Sequence, residues 1–451
     1  MKKNDVYKVS ITDVTSEGVG ICRVDGAAVF VQNALKDEIH NIKIVKTTKN
    51  ISYGKTIDIE KRSPYRCESD CEVSGKCGGC TFRHVSYEGQ LAIKQNVVET
   101  ALRRIGHTDV PVEKMIPTSP DHYRNKAQYP VGTDESGKMC FGFYAKNSHD
   151  IVTHKSCLLH DKSFYDIASA LIKIFEMNRL SSYDEIKHTG LIRHITMRKT
   201  VSGDIAVCVV INGVRLPQAN ETAKLIMKLF PQIKSFYVNE NKEKTNVIFG
   251  NKYTKIAGDK YLTETICGKK LSFTPSSFLQ VNAVGAEKLY EKAKEYLDLK
   301  DGDRLIDLYC GVGSVGICTA GNGKVFGVEI NPDAVEDARY NSLQNGRKDD
   351  EYVCADAKEA LKLCDGKEYQ ALVIDPPRKG IDKELIEDIA ATGIEKVVYI
   401  SCDPATLARD IAIFETKGYK AVKACPVDMF PGTGHVETIV LLSRAWGETT
   451  E

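Results

Sequence analysis

RLIDLYCGVGSVGICTA, residues 304–320, decides how the C-terminal half of this chain folds. The stretch reads as a strand, a glycine loop and then a helix. Gly311, Gly313 and Gly316 form a GxGxxG pattern, which suits a nucleotide cofactor approaching backbone N–H groups at a helix N-terminus. Eighteen residues past Gly311, the strand KVFGVEI ends in Glu329, placed to accept hydrogen bonds from ribose hydroxyls. NAD and S-adenosylmethionine both carry that ribose, so the loop alone does not choose between them. From about residue 276 onward strands and helices alternate, which predicts a doubly wound, Rossmann-like α/β domain with a parallel sheet.

Working outward, the next strands end in chemically distinctive residues. EYVCADA ends at Asp356, which fits a carboxylate meeting an adenine amino group. ALVIDPPRKG ends in Asp375-Pro376-Pro377, a rigid acidic lip that suits an enzyme methylating nucleic-acid bases better than a dehydrogenase. VVYISCDPATLARD (397–410) delivers Cys402 between a strand and a helix. Asp403 is a good N-cap, Pro404 fits the first helical position, and Gly418 sits where the helix should stop. A helix N-terminus favours thiolate over thiol, so Cys402 is a candidate nucleophile. The loop GTGHVE then presents His435 and Glu437 before a last apolar strand.

The chain has 451 residues, enough for two to four domains. Its net charge is +1, so no global field advertises nucleic acid and any RNA contact is local. There is no apolar signal-peptide core at MKKNDVYKVS and no apolar run of membrane-spanning length, which predicts a cytoplasmic protein. Residues 1–62 read as short strands with an Asp25-Gly26 hairpin signal, a small β-barrel of the oligonucleotide-binding kind. That segment holds 11 Lys and Arg against 8 Asp and Glu, only mildly basic. Residues 63–275 read as a central α+β domain, and 276–451 as the doubly wound domain.

The central segment opens with CESDCEVSGKCGGC, which places Cys67, Cys71, Cys77 and Cys80 within fourteen residues. Fifteen cysteines in a cytoplasmic chain are not expected to be disulfides. Cys77-x2-Cys80 points two sulfurs at one centre, with Cys71 as a third ligand. Zinc and an iron–sulfur cluster both take such a set, and the fourth ligand is either Cys67 or a distant thiol such as Cys157. His154 and His160, flanking Cys157, read as ordinary surface or core histidines.

FLQVN, DLYCGVG, DPPR, SCDPATLARD and GHVET occur here in one order that resembles the RNA uracil-C5 methyltransferases, the family making 5-methyluridine in ribosomal or transfer RNA. The N-terminal barrel resembles a TRAM domain, and the C-x5-C-x2-C run with a later cysteine resembles the cluster-bearing enzymes of 23S rRNA. The resemblance implies an S-adenosylmethionine-dependent enzyme with Gln280, Tyr309, Glu329 and Asp375 lining the cofactor and uracil site, Asp356 assisting. It implies Cys402 as nucleophile, Glu437 as general base, and Cys71, Cys77, Cys80 and Cys157 as ligands of a [4Fe–4S] cluster, with Cys67 outside it. The expected partner is RNA, foremost 23S rRNA, with no DNA or membrane, and the chain is expected to be monomeric. The alternatives are a transfer-RNA methyltransferase of the same chemistry, a non-catalytic RNA-binding factor, and a nicotinamide oxidoreductase. Two positions depart from the family pattern. Ser314 stands where Asn is common, and Asp403 replaces the Asn of the commoner SCNP, bringing a charge that opposes thiolate formation at Cys402.

Overall fold

Five consecutive strands, all but the edge strand Glu351–Cys354 largely buried and each followed by a turn and helix, build the C-terminal layer of the computed structural model. The structure describes residues 1–49, 51–364 and 368–444; residues 445–451 of the C-terminal segment read from the sequence lie outside them. In chain order the strands of this sheet are β1 (Arg304–Leu308), β2 (Lys324–Glu329), β3 (Glu351–Cys354), β4 (Ala371–Ile374), β5 (Lys396–Ser401), β6 (Tyr419–Val427) and β7 (Glu437–Arg444). Their spatial order is β3-β2-β1-β4-β5-β7-β6. The first five are parallel, and β7 pairs antiparallel with both β5 and β6. Apolar runs such as Ala371–Ile374, buried at every position, are what a sheet covered on both faces requires. The sequence expectation of a parallel sheet thus holds for five strands, and the last hairpin reverses direction.

The N-terminal 61 residues form a separate six-stranded sheet, closed around Val29, Val31, Ile42 and Ile44. Asp25 and Gly26 both take left-handed backbone (φ 49° and 81°), the turn that joins Val19–Val24 to Ala27–Gln32. A second six-stranded sheet spans residues 126–258, with the helices Lys162–Met177 and Ala219–Leu229 packed in its core.

Helix Tyr87–Arg104 is capped by Ser86, whose side chain accepts the Gly89 N–H. Val98, Ala101 and Leu102 on this helix, with Val110 and Met115 beyond it, share one hydrophobic core with Leu372, Tyr399, Leu407 and Ile411. The segment after the helix continues the sheet edge through bridges from Val112 to Ala424 and Ile116 to Val427. Residues 87–116 therefore brace the far edge of the C-terminal sheet, although they precede the central sheet in the chain. Among the described residues no helix is long and apolar enough to cross a membrane.

Candidate active site

Strand register brings the acidic strand ends and the thiol to one edge. Leu308 pairs with Val328 on one side and Ile374 on the other, so Tyr309, Glu329 and Asp375 stand level just past the strands. Ser401 pairs with Thr438. Because β7 runs antiparallel, the residue after Ser401 and the residue before Thr438 also face each other, and these are Cys402 and Glu437. The carboxyl edge of a parallel sheet is where ligands bind. Here one cavity of about 1150 Å³ lies along it, reached by Gln280, Tyr309, Glu329, Asp375, Cys402 and Glu437. Gly311 and Asp356 reach it as well. Small-ligand sites run to roughly 300–1,000 Å³, so this cavity has room for a nucleoside cofactor and a second base.

The glycine loop is shaped by close approach. The Gly316 N–H donates to Asp307 Oδ2 at 2.8 Å, and a Cβ at that glycine would stand 2.9 Å from the same oxygen. Burial pushes the Asp307 carboxyl up to about 8. Gly311, with φ 54°, donates its N–H to Glu329 Oε2 at 3.2 Å, while Glu329 Oε1 accepts the Asn331 N–H at 2.9 Å. Glu329 is thereby fixed at the loop with its remaining lone pairs toward the cavity. Tyr309 takes φ 64°, left-handed backbone in a non-glycine residue, a strain that clusters at functional sites. β3 ends at Cys354, so Asp356 is not a strand residue. It caps helix Ala357–Ala360, accepting the Lys358 N–H at 2.9 Å, and lines the cavity.

Cys402 sits where the sequence puts it, between Ser401 and helix Pro404–Thr416. Its electrostatics differ from the local expectation. Burial and the neighbouring carboxylates of Glu437 and Asp375 push the thiol up to about 11, against the helix N-terminus and the Arg378 guanidinium. Asp403 is spent on the helix, its Oδ1 accepting the N–H groups of Ala405 at 2.9 Å and Thr406 at 3.0 Å. Glu437 and Asp375 form a buried carboxyl pair: desolvation raises both, Asp375 raises Glu437 further, and Arg378 opposes it. Arg378 also hydrogen-bonds His435 Nε2 at 3.1 Å. Arg378 closes the DPPR motif, the sequence signal that could have marked it as a site residue.

The loop bearing His435 is held from three sides. Buried Lys94 donates to Asp428 Oδ1 at 2.6 Å and to the Phe430 carbonyl at 3.0 Å. The Gly432 carbonyl accepts the N–H groups of Thr81 and Phe82 at 2.8 and 2.9 Å, and the Gly432 N–H donates to Gln90 Oε1 at 2.7 Å. A Cβ on Gly434 would overlap the Ser16 carbonyl of the N-terminal sheet at 1.8 Å. Lys94 and Asp428 had no sequence signal, being 334 residues apart.

Cys71, Cys77, Cys80 and Cys157 line the same cavity. Cys67 is exposed, its Sγ donating to the Arg83 carbonyl at 3.8 Å. Burial pushes the Cys80 thiol up to about 12, and the thiols of Cys157, Cys77 and Cys71 act in the same direction. The Gly79 N–H donates to Cys77 Sγ at 3.4 Å. Burial raises the thiols of Cys77, Cys80 and Cys157, and with Cys71 beside them they make a donor set suited to a cationic centre. Among the described residues, however, no three histidine, cysteine or acidic side chains converge as one metal ion requires. His160 Nε2 lies 3.0 Å from the Lys126 carbonyl, which fixes it as a donor, so Nδ1 accepts from Cys157 Sγ at 3.2 Å. His154 is buried against Tyr129 and Phe143 with neither ring nitrogen hydrogen-bonded.

A mixed sheet of this order, a glycine loop at its carboxyl edge and an adjoining thiol with carboxylates define a class I methyltransferase. Residues 86–445 match the family model described as tRNA (Uracil-5-)-methyltransferase, and residues 2–57 match the TRAM domain. The chain is 39% identical over 98% of its length, and 98% of the relative's, to an RNA methyltransferase of Bacillus cereus (strain ATCC 10987 / NRS 248). It is 38% identical to one of Clostridium tetani, covering 98% of this chain and 97% of that one. Among solved structures it is similar to Pyrococcus abyssi tRNA (uracil-54, C5)-methyltransferase in complex with S-adenosyl-L-homocysteine. The TM-score is 0.76 at 25% identity, over 96% of this chain and 99% of the other. The chain belongs to the tRNA (uracil-5-)-methyltransferase family, a family of S-adenosylmethionine-dependent RNA methyltransferases, and carries a TRAM domain at its N-terminus.

Proposed function

We propose that this protein methylates carbon 5 of uridine in 23S rRNA through a covalent adduct at Cys402. The observation that carries the reading is that Cys402 and Glu437 lie one step beyond the Ser401–Thr438 pair of β5 and β7, both lining the cavity that the glycine loop also reaches. S-adenosylmethionine supplies a methyl group on a sulfonium. Gly311, Glu329 and Asp356 hold its nucleoside part, Gln280 and Tyr309 line the space between cofactor and base, and Asp375 holds the uracil edge.

Carbon 5 of uracil is a weak nucleophile. The Cys402 thiol loses its proton to solvent as its sulfur bonds carbon 6, the ring becomes enolate-like, and carbon 5 then takes the methyl group with the thioether S-adenosylhomocysteine leaving. Arg378 offsets negative charge as it develops on sulfur and ring. Carbon 5 still bears its proton after transfer. Glu437 removes it, and the Cys402 sulfur leaves carbon 6. A carboxylate whose pKa is raised by burial is a stronger base than one in water, which is what a carbon-bound proton demands. The target uridine reaches this edge only when unstacked, so a loop or a flipped base is the substrate.

Cys71, Cys77, Cys80 and Cys157 would hold a [4Fe–4S] cluster that organises the 67–83 loop, since methyl transfer moves no electrons. The rRNA assignment rests on this loop together with the TRAM domain. A second reading, transfer RNA, is favoured by the likeness to the Pyrococcus abyssi enzyme. We place the protein in the cytoplasm, acting as a monomer. Nucleoside mass spectrometry on unmodified 23S rRNA and unmodified tRNA, each incubated with anaerobically purified protein and S-adenosylmethionine, separates the readings. 5-Methyluridine in the rRNA supports the main one. Its appearance only in tRNA keeps the chemistry and replaces the substrate. Its absence from both refutes the proposal.

A further inference from the structure

Away from the catalytic edge, two thiols meet behind the glycine loop. Cys267 occupies the first central position of the turn joining Leu262–Ile266 to Lys269–Phe273, with φ 51°, and Gly268 follows at 68°. That turn favours Asn, Asp or Gly at its first position, so local propensity gives no reason for a cysteine there. Cys267 is half-buried; its N–H donates to Glu287 Oε1 at 2.9 Å and its Sγ approaches the Glu287 carbonyl at 3.7 Å. Cys318, buried on helix Ser314–Thr319, directs its Sγ at the carbonyl of Ile266, 3.6 Å away, the residue before Cys267. The Ile266 carbonyl carbon is bonded to the Cys267 nitrogen, so the contact from Cys318 brings the two cysteines together where hairpin and helix meet. Both line one cavity of about 650 Å³, shared with Lys269, Lys294, Glu287 and Glu291.

We propose that Cys267 and Cys318 are a thiol–disulfide exchange site for low-molecular-weight disulfides, and that their bond tethers the hairpin to the helix that opens from Gly313. Cys267 is the accessible partner. As thiolate it attacks one sulfur of a disulfide RSSR, forming a mixed disulfide and releasing RS⁻. The Cys318 thiol gives its proton to a released thiolate, its sulfur attacks that of Cys267, and the second RS⁻ leaves. Two protein thiols are oxidised to one disulfide while one RSSR becomes two RSH. The helix so tethered begins at the cofactor loop, so the bond alters cofactor affinity; this consequence rests on the cofactor assignment proposed above.

The test treats the reduced, anaerobic full-length protein with oxidised glutathione, blocks free thiols with N-ethylmaleimide, and maps tryptic peptides by mass spectrometry. The expected product links peptide 261–269 to peptide 305–324, with fragment ions placing the bond at Cys318 and not Cys310. The link is absent from Cys267→Ser, a conservative change at a half-buried turn. Calorimetry with S-adenosyl-L-homocysteine is expected to give a several-fold change in Kd on oxidation, reversed by dithiothreitol and missing in Cys267→Ser. No link, or a bond at Cys310, overturns the site. A link that leaves Kd unchanged overturns its effect on the cofactor. Failure of the reduced protein to bind S-adenosyl-L-homocysteine refutes the cofactor assignment instead, and the peptide map still decides the thiol pair.

Discussion

The surroundings of Cys402 and Glu437 push both the thiol and the carboxyl that the proposed mechanism uses upward. Burial disfavours both anions, Glu437 further disfavours the Cys402 thiolate, Asp375 further disfavours ionised Glu437, and Arg378 relieves both. Replacing Glu437 by Gln leaves sulfur addition and methyl transfer possible but removes the acceptor for the carbon 5 proton. Turnover is expected to fall by roughly 10²–10⁴, with the covalent RNA adduct accumulating on denaturing gels. Glu437→Gln that turns over normally would move the base elsewhere. The raised carboxyl also sets a pH dependence. Its base form appears only as pH climbs through the raised value, so the single-turnover rate should still be rising near neutrality instead of levelling off just above the ordinary carboxylate range. Arg378→Ala removes the relieving charge, and iodoacetamide should then alkylate Cys402 several-fold more slowly at a fixed pH.

Among the elements, helix Pro404–Thr416 and the loop between β6 and β7 fix where thiol and base meet. Asp403 satisfies two N–H groups at the helix start. Its replacement by Ala should cost about 1 kcal/mol in urea unfolding, whereas Asp403→Asn should preserve the cap while removing the nearby charge. Lys94 and Asp428 are both almost wholly buried. Lys94→Met leaves Asp428 as an unpaired buried charge, a change of about 3–5 kcal/mol. Hydrogen exchange should report it first at residues 428–436, the loop that leads into Glu437.

For the whole molecule, the N-terminal sheet, the cysteine loop and the catalytic sheet converge on that same loop, through Ser16 at Gly434 and Thr81 and Phe82 at Gly432. A change in the cysteine loop is expected to reach Glu437 through these backbone contacts. If the proposed cluster is present, removing its iron should raise hydrogen exchange in 428–436 as well as in 67–83. Protection changing only in 67–83 would separate the two regions. With a net charge of +1, RNA affinity must come from local cation placement. The dependence of log affinity on log salt should be linear, with a slope near 0.7–0.9 per phosphate contacted, and should weaken when cavity-lining Arg124 or Lys379 is neutralised.

What the sequence by itself determined is local. Buried strands declare themselves as apolar runs, caps by Asp403 and Pro404, the hairpin by Asp25-Gly26, and the family by motifs whose chemistry depends on residue type. The tertiary structure alone decided what depends on partners far apart in the chain. The reversal of β7 brings Glu437 opposite Cys402, and burial in that company turns a thiol expected to ionise into one pushed up to about 11. Lys94 finds Asp428, and the thiols of the 67–80 loop reach the catalytic cavity, because packing selects neighbours by shape and charge and leaves no trace of the choice in adjacent residues.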